Sequence, residues 1–121
     1  MNYNLNQIPD RTTKPRQKGL TMVMDKGLSL RQVEDFLEMG GGHTDIVKLG
    51  WATSYVTPNL KEKLALYKSA GIPVYFGGTL FEAFYIRGQF DEYRRVLDQY
   101  GMEYAEVSDG SVEMESEVKC E

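Results

Sequence analysis

The chain has 121 residues, 41% of them hydrophobic and 26% charged, with a net charge of −4, a composition that suits one soluble domain with a single core. It holds no long basic block, which argues against a nucleic acid partner, and no apolar run near the roughly 18 residues that a membrane span needs. Its lone cysteine, Cys120, excludes an internal disulfide or cysteine metal knot, and its lone histidine, His43, excludes a His-rich metal site or an intrachain triad, so a reduced, cytoplasmic protein is expected.

Residues 1–18 are polar, carry the basic residues Lys14, Arg16 and Lys18, and lack the apolar centre of a signal peptide. They predict an irregular arm without a core of its own, in which Arg16 either reaches an anion or stays solvated. LTMVMD, residues 20–25, predicts the first strand, ending in Asp25 and Lys26. Ser29 and Gln32 form a capping-box pattern, and Leu30, Val33, Phe36 and Leu37 recur at helical spacing. A helix over 30–39 follows, stopped by the glycines at 40–42.

The second strand is predicted at 44–49. Thr57 can then cap a helix with Pro58 at its first position, and Leu60, Leu64 and Tyr67 line one face up to Gly71. IPVYF, 72–76, predicts the third strand, followed by Gly77, Gly78, Thr79 and a short helical piece running to Gly88. Phe90, Tyr93, Leu97 and Tyr100 mark another helix face, closed by Gly101. EYAEV, 103–107, predicts a fourth strand ending in Ser108, Asp109 and Gly110, and the acidic stretch from Val112 predicts the first turns of a fourth helix.

The pattern is strand, loop, helix, four times over, at a spacing of about 25 to 30 residues. Strands joined by single helices run parallel through right-handed crossovers. The expected fold is therefore α/β, four consecutive β-α units forming half of a TIM (β/α)8 barrel over residues 19–121, with a small doubly wound sheet as the alternative. Polar residues gather after every strand (Asp25 and Lys26, Lys48 and Trp51, Thr79 and Glu82, Ser108 and Asp109), which favours the barrel, whose loops open on one catalytic face.

DIVKLGWATS, Asp45 to Ser54, is the stretch around which the candidate chemistry gathers. Lys48 interrupts an apolar strand, and a buried ammonium is costly unless it reaches a partner or solvent. It is either a functional cation at a strand end, with Gly50, Trp51, Ala52, Thr53 and Ser54 lining the site, or a partly exposed lysine on an edge strand. Glu106, between Ala105 and Val107, needs a cation for the same reason, and Lys48 stands at the matching level. The pair is catalytic or a plain buried salt bridge. Gly77 and Gly78 offer amides to an anion at a helix N-terminus, or merely make a tight turn. Glu82 and Asp109 can ligate a hard cation such as magnesium, though Glu82 equally suits a helix dipole. Trp51 either covers a ligand or plugs the barrel mouth.

GLTMVMDKG, DIVKLGWATS, GGTLFE and EVSDGS, in this order and spacing, resemble the phosphosulfolactate synthase family, and the likeness spans roughly residues 14–111, from KPR onward. Ala52 stands where that family tends to have glycine, a departure expected to stiffen the loop slightly. The resemblance implies an enzyme of the carbon–sulfur lyase type that adds sulfite to phosphoenolpyruvate with magnesium, giving (2R)-phospho-3-sulfolactate on the way to coenzyme M. It places Lys26, Lys48, Gly77 to Thr79, Glu82, Glu106, Ser108 and Asp109 on the active-site face. Lys48 would face substrate, Glu106 would partner it or bind metal, and Lys26 would neutralise sulfite or phosphate. Family members are about twice as long, with four further strands and a glutamate-valine-glycine-lysine stretch on the fifth. A fragment, a homodimer closing one barrel, or association with a separate C-terminal half are the resulting expectations. The same barrel is similar to plant heat-stress-associated proteins, which leaves a non-catalytic, interaction role as the alternative.

Overall fold

Three short parallel strands, β1 (Met22–Asp25), β2 (Ile46–Leu49) and β3 (Val74–Phe76), lie in the order β1–β2–β3 in the computed structural model, which describes residues 2–110 and 112–114. Parallel neighbours cannot be joined by a tight turn, so each connection crosses over through helix. α1 (Leu30–Gly40) and a 3-10 turn (Gly41–His43) join β1 to β2, while α2 (Thr53–Val56) and α3 (Leu60–Ser69) join β2 to β3. α4 (Gly78–Tyr85) and α5 (Phe90–Gln99) follow β3. Helix α1 begins with the reciprocal Ser29–Gln32 capping box that its sequence predicts.

The register decides what each face of the sheet carries. Met24, Lys48 and Tyr75 are Cα partners across the three strands, and so are Asp25, Leu49 and Phe76. Because side chains alternate along a strand, these two rows point to opposite faces. The Leu49 and Phe76 row, with Val47, is buried under the helices together with Val33, Tyr67 and Ile72. α1 packs on α3, and α4 on α5, where Phe81 meets Phe90 and Tyr93 edge to face. Past the strand ends, the Gly50 amide donates to the Asp25 carbonyl and the Gly77 amide to the Leu49 carbonyl. The loops after all three strands therefore leave the sheet at one rim.

Residues 103–107, expected as a fourth strand, carry no strand, and the sheet has three strands among the described residues. Glu103, Tyr104, Ala105 and Val107 are all exposed, so the run offers no greasy face to dock beside β3. The helix expected from Val112 falls mainly on residues 115–121, outside the described residues. What is seen is a parallel α/β unit consistent with part of a TIM-type barrel. Among the described residues no helix is long and apolar enough to cross a membrane.

At the opposite end of the sheet the N-terminal arm, which has no helix or strand among its described residues, is fastened by Arg16. Its guanidinium lies 2.7 Å from Asp45 Oδ1, with side chains only 4% and 8% exposed, and it also donates to the Thr12 and Gly42 carbonyls. Of the two alternatives for Arg16, reaching an anion holds and staying solvated does not. The Thr21 amide, outweighing partial burial and helped by Arg16, holds the Asp45 carboxyl below its usual range.

The GWATS loop also departs from expectation. It folds into α2, whose end Thr57 supplies by donating its hydroxyl to the Thr53 carbonyl at 2.6 Å, so Thr57 does not cap the next helix. α3 begins at Leu60 after Asn59, and Pro58 stands ahead of it. Trp51 and Ala52 both adopt φ of +57°, the left-handed region that favours glycine. Ala52→Gly should raise stability by about 1 kcal/mol in urea unfolding; an unchanged midpoint would show that the loop stores no strain at this position.

Candidate active site

The row of Met24, Lys48 and Tyr75 carries the candidate site. From it Lys48 extends its ammonium to 2.9 Å from Oε1 and 2.8 Å from Oε2 of Glu106, a residue 58 positions later in the chain. Their side chains are 16% and 33% exposed, so the pair is reachable from solvent on one side. A half-exposed pair of this kind contributes at most about 1 kcal/mol to stability. Its consequence lies elsewhere: an ammonium and a carboxylate are held in fixed geometry at the rim.

Gly77 and Gly78 explain how Glu106 reaches Lys48. A Cβ on Gly77 would stand 2.9 Å from Lys48 Cε, and one on Gly78 would stand 2.3 Å from Ser108 Oγ and 2.9 Å from Glu106 Oε1. Neither position has room for a side chain, so the glycines let the 106–108 segment close over the start of α4. The Glu106 carboxylate thereby lies against the N-terminus of α4, where amide dipoles favour negative charge. Tyr75 shares this surroundings: burial and then the Glu106 charge, opposed by Lys48, push its phenol upward. Tyr93 from α5, buried with its hydroxyl unpartnered among the described residues, is pushed upward by burial and by Glu106. Sequence reasoning missed both tyrosines, although the strand register that pairs Tyr75 with Lys48 follows once the sheet is drawn.

A second charged cluster lies on the opposite, helix-covered face. Asp25, at the end of β1, is 1% exposed and accepts from the Gly27 and Leu28 amides, from Lys63 Nζ at 3.0 Å and from the Tyr67 hydroxyl at 2.7 Å. Burial raises the Asp25 carboxyl, but those hydrogen bonds, led by the Leu28 amide and Lys63, outweigh it and hold it below the ordinary value of 3.8. Burial and the bond to Asp25 push Tyr67 far up. Lys63 was not singled out in the sequence, yet it sits at i+3 from Leu60 and i−4 from Tyr67, on the apolar stripe of α3.

Comparison with known proteins gives this arrangement a context. The profile of the (2R)-phospho-3-sulfolactate synthase (ComA) family matches residues 9–121. The chain belongs to this family. It is 48% identical over 103 residues to a phosphosulfolactate synthase of Methanocaldococcus jannaschii, covering 84% of this chain and 41% of that relative. To phosphosulfolactate synthases of Methanothermobacter thermautotrophicus and Bacillus subtilis it is 39% and 36% identical, covering 93% and 94% of this chain and 44% and 45% of theirs. The chain thus spans less than half the length of these relatives.

The residues expected at the site, from the strand-end loops and from the resemblance to the phosphosulfolactate synthases, do not all come together. Lys48, Gly77, Gly78, Glu106 and Ser108 meet one another. Lys26 and Thr53 instead line a cleft beside Lys63. Trp51 is 63% exposed and plugs nothing among the described residues, while Ser54 is buried and Thr79 half-buried at the first turn of α4. Glu82 is buried in α4, Asp109 is exposed, and both are engaged. Among the described residues no three His, Cys, Asp or Glu side chains gather as a metal site, so Glu82, Glu106 and Asp109 do not form a ready magnesium cage.

Two sets of variants test this geometry. Gly78→Ala should cost about 1–3 kcal/mol through overpacking and shift the NMR signals of residues 104–108; unshifted signals would mean that the segment does not close on α4. Lys63→Met should cost about 3–5 kcal/mol at pH 7 by leaving Asp25 buried and unpaired, and Tyr67→Phe about 1.5–3 kcal/mol. The sign with pH follows from the depressed Asp25 carboxyl: its contribution is present above the unfolded value near 4 and is lost as pH falls through the lower folded value. The gap between wild type and Lys63→Met should therefore narrow in acid. Equal stability of the two at pH 7 would remove Asp25–Lys63 from the list of stabilising contacts.

Proposed function

We propose that this chain contributes the first strand-end motifs of an enzyme that adds sulfite to phosphoenolpyruvate, giving (2R)-phospho-3-sulfolactate. The observation that carries the reading is the Lys48–Glu106 pair, drawn from two separate family motifs and held at the rim under a glycine turn with one side open. In this reading sulfite sulfur donates its lone pair to the methylene carbon of phosphoenolpyruvate. The double-bond electrons move toward the carboxylate, forming an aci-carboxylate, and a proton is then taken up at the neighbouring carbon. Charge that builds on a carboxylate is best met by a cation already in place. Lys48 supplies it, and Glu106 keeps the ammonium oriented before the substrate carboxylate arrives.

Lys26, exposed beside the β1–α1 turn, belongs in this reading to the binding of the second anion. The groups that donate the proton and close the barrel come from a C-terminal half or from a second copy of the chain. Magnesium dependence is part of the proposal by family, where the ion would steady the developing carboxylate charge, although among the described residues no three carboxylates gather to hold it.

A chimera tests the reading directly. Residues 9–121 replace the matching segment of the Methanocaldococcus jannaschii relative, and product formation from phosphoenolpyruvate and sulfite is followed by phosphorus NMR, with and without a magnesium chelator. Turnover is expected, with Lys48→Met lowering kcat/KM by about 100-fold or more, the scale of losing one preorganised charge contact. A folded chimera without turnover, or one indifferent to Lys48→Met, would refute the assignment.

A further inference from the structure

Glu106 is held by little of its own backbone. Among the described residues no backbone–backbone hydrogen bond ties residues 103–108 to the sheet or the helices, and Ala105 and Val107 on either side of Glu106 are exposed. Its carboxylate is nonetheless placed closely, with both oxygens within 2.9 Å of Lys48 Nζ and Oε1 against the start of α4. A flexible lysine stem on one side and an irregular segment on the other do not define such a contact by themselves. A third member comes from the sheet. Tyr75 is the Cα partner of Lys48 on the neighbouring strand, and partners in register project from the same face. Its half-buried phenol lies near enough to the Glu106 carboxylate to share a hydrogen bond with it, and it feels the Lys48 ammonium as well. Tyr93 feels the Glu106 charge from α5 without such a bond, and its buried hydroxyl has no partner among the described residues.

Each carboxylate oxygen has two lone pairs, so Glu106 can accept from Lys48 and still take a second donor. A phenol is such a donor, and this one is carried by a strand whose position the sheet fixes. Hydrogen bonds to an ionised acceptor are also roughly twice as strong as neutral ones. We propose that Tyr75 is a positioning residue of the Lys48–Glu106 pair: its hydroxyl donates to the Glu106 carboxylate and so sets the side on which the Lys48 ammonium stays open. That ammonium has three N–H donors and Glu106 has two oxygens, which leaves at least one donor for an incoming group. In this role Tyr75 acts through Glu106 and does not meet the substrate. The inference rests on the sulfite-adding reading only for what the open donor meets, since the three-way contact is a property of the chain itself.

One arm of the test uses the chain itself, labelled with nitrogen-15 on lysine, and follows hydrogen exchange of the Lys48 ammonium by NMR. Tyr75→Phe keeps the ring and its packing, and should speed that exchange by about 10-fold, the scale of one hydrogen bond to a charged group. Tyr93→Phe should leave it unchanged. A urea midpoint that moves in Tyr75→Phe while Lys48 exchange stays at its wild-type rate would make Tyr75 a structural residue only. An equal effect of Tyr93→Phe would assign the change to general packing, and either result overturns the proposal. A second arm places Tyr75→Phe in the chimera, where kcat should fall by about 10-fold and KM for phosphoenolpyruvate should change by less, because the open donor is needed where charge builds. An active chimera whose kcat ignores Tyr75→Phe, or in which KM alone moves, would also overturn it. A chimera without turnover bears on the sulfite-adding reading alone, since Lys48 exchange is read on the chain without substrate.

Discussion

Everything in this molecule turns on a two-residue alternation in three short strands. Register places Lys48 beside Tyr75 and Asp25 beside Leu49, and the pleat sends those rows to opposite faces. A slip of one residue in β2 would bring Lys48 under the helices, and one in β1 would bring Asp25 into the open. The buried Asp25–Lys63–Tyr67 cluster opposes such a slip. Its four hydrogen bonds are satisfied only when β1 ends where it does and α3 lies across it. A buried ion pair is a poor source of net stability, because desolvation consumes most of its attraction. As a device that penalises wrong registers it is effective, since every misaligned alternative leaves a charge stranded.

Much of this was legible in the chain. The capping box at Ser29, the periodicity of α1 and α5, and apolar runs bounded by glycine follow from local rules, and the three strands and their crossovers came with them. The Lys48–Glu106 contact was legible in part: Lys48 interrupts an apolar strand and needs a partner, while Glu106 meets it from an exposed, irregular segment and not from the buried strand expected. The fourth strand was not. EYAEV has the alternation of a strand, but pairing depends on a neighbouring edge and a buried face, which are tertiary facts. α2 was missed for a similar reason. GWATS looks like open loop, and only the backbone shows two successive left-handed residues turning it into helix. Lys63 was hidden by habit: a lysine on a helix is ordinarily a solvated residue, and its place on the apolar stripe was the signal to the contrary.

The glycine pair after β3 shows how one sequence feature admits several physical meanings. Two glycines between a strand and a helix suggest a cradle for an incoming anion. In this chain the negative group lying against that helix start is Glu106, and the absence of side chains is required by Ser108 and Lys48 as neighbours. Close side-chain neighbours, more than backbone freedom, fix glycine there.

The Arg16–Asp45 fastening sits at the end of the sheet remote from these groups. Asp45 receives both the arm and the Thr21 amide, just before β2 begins. One end of the sheet is committed to anchorage, and the candidate site lies at the other. Fusions, surface tethers or purification tags attached ahead of Thr12 would pull on the anchor and leave the opposite rim undisturbed, which makes that end the natural handle for manipulating the molecule.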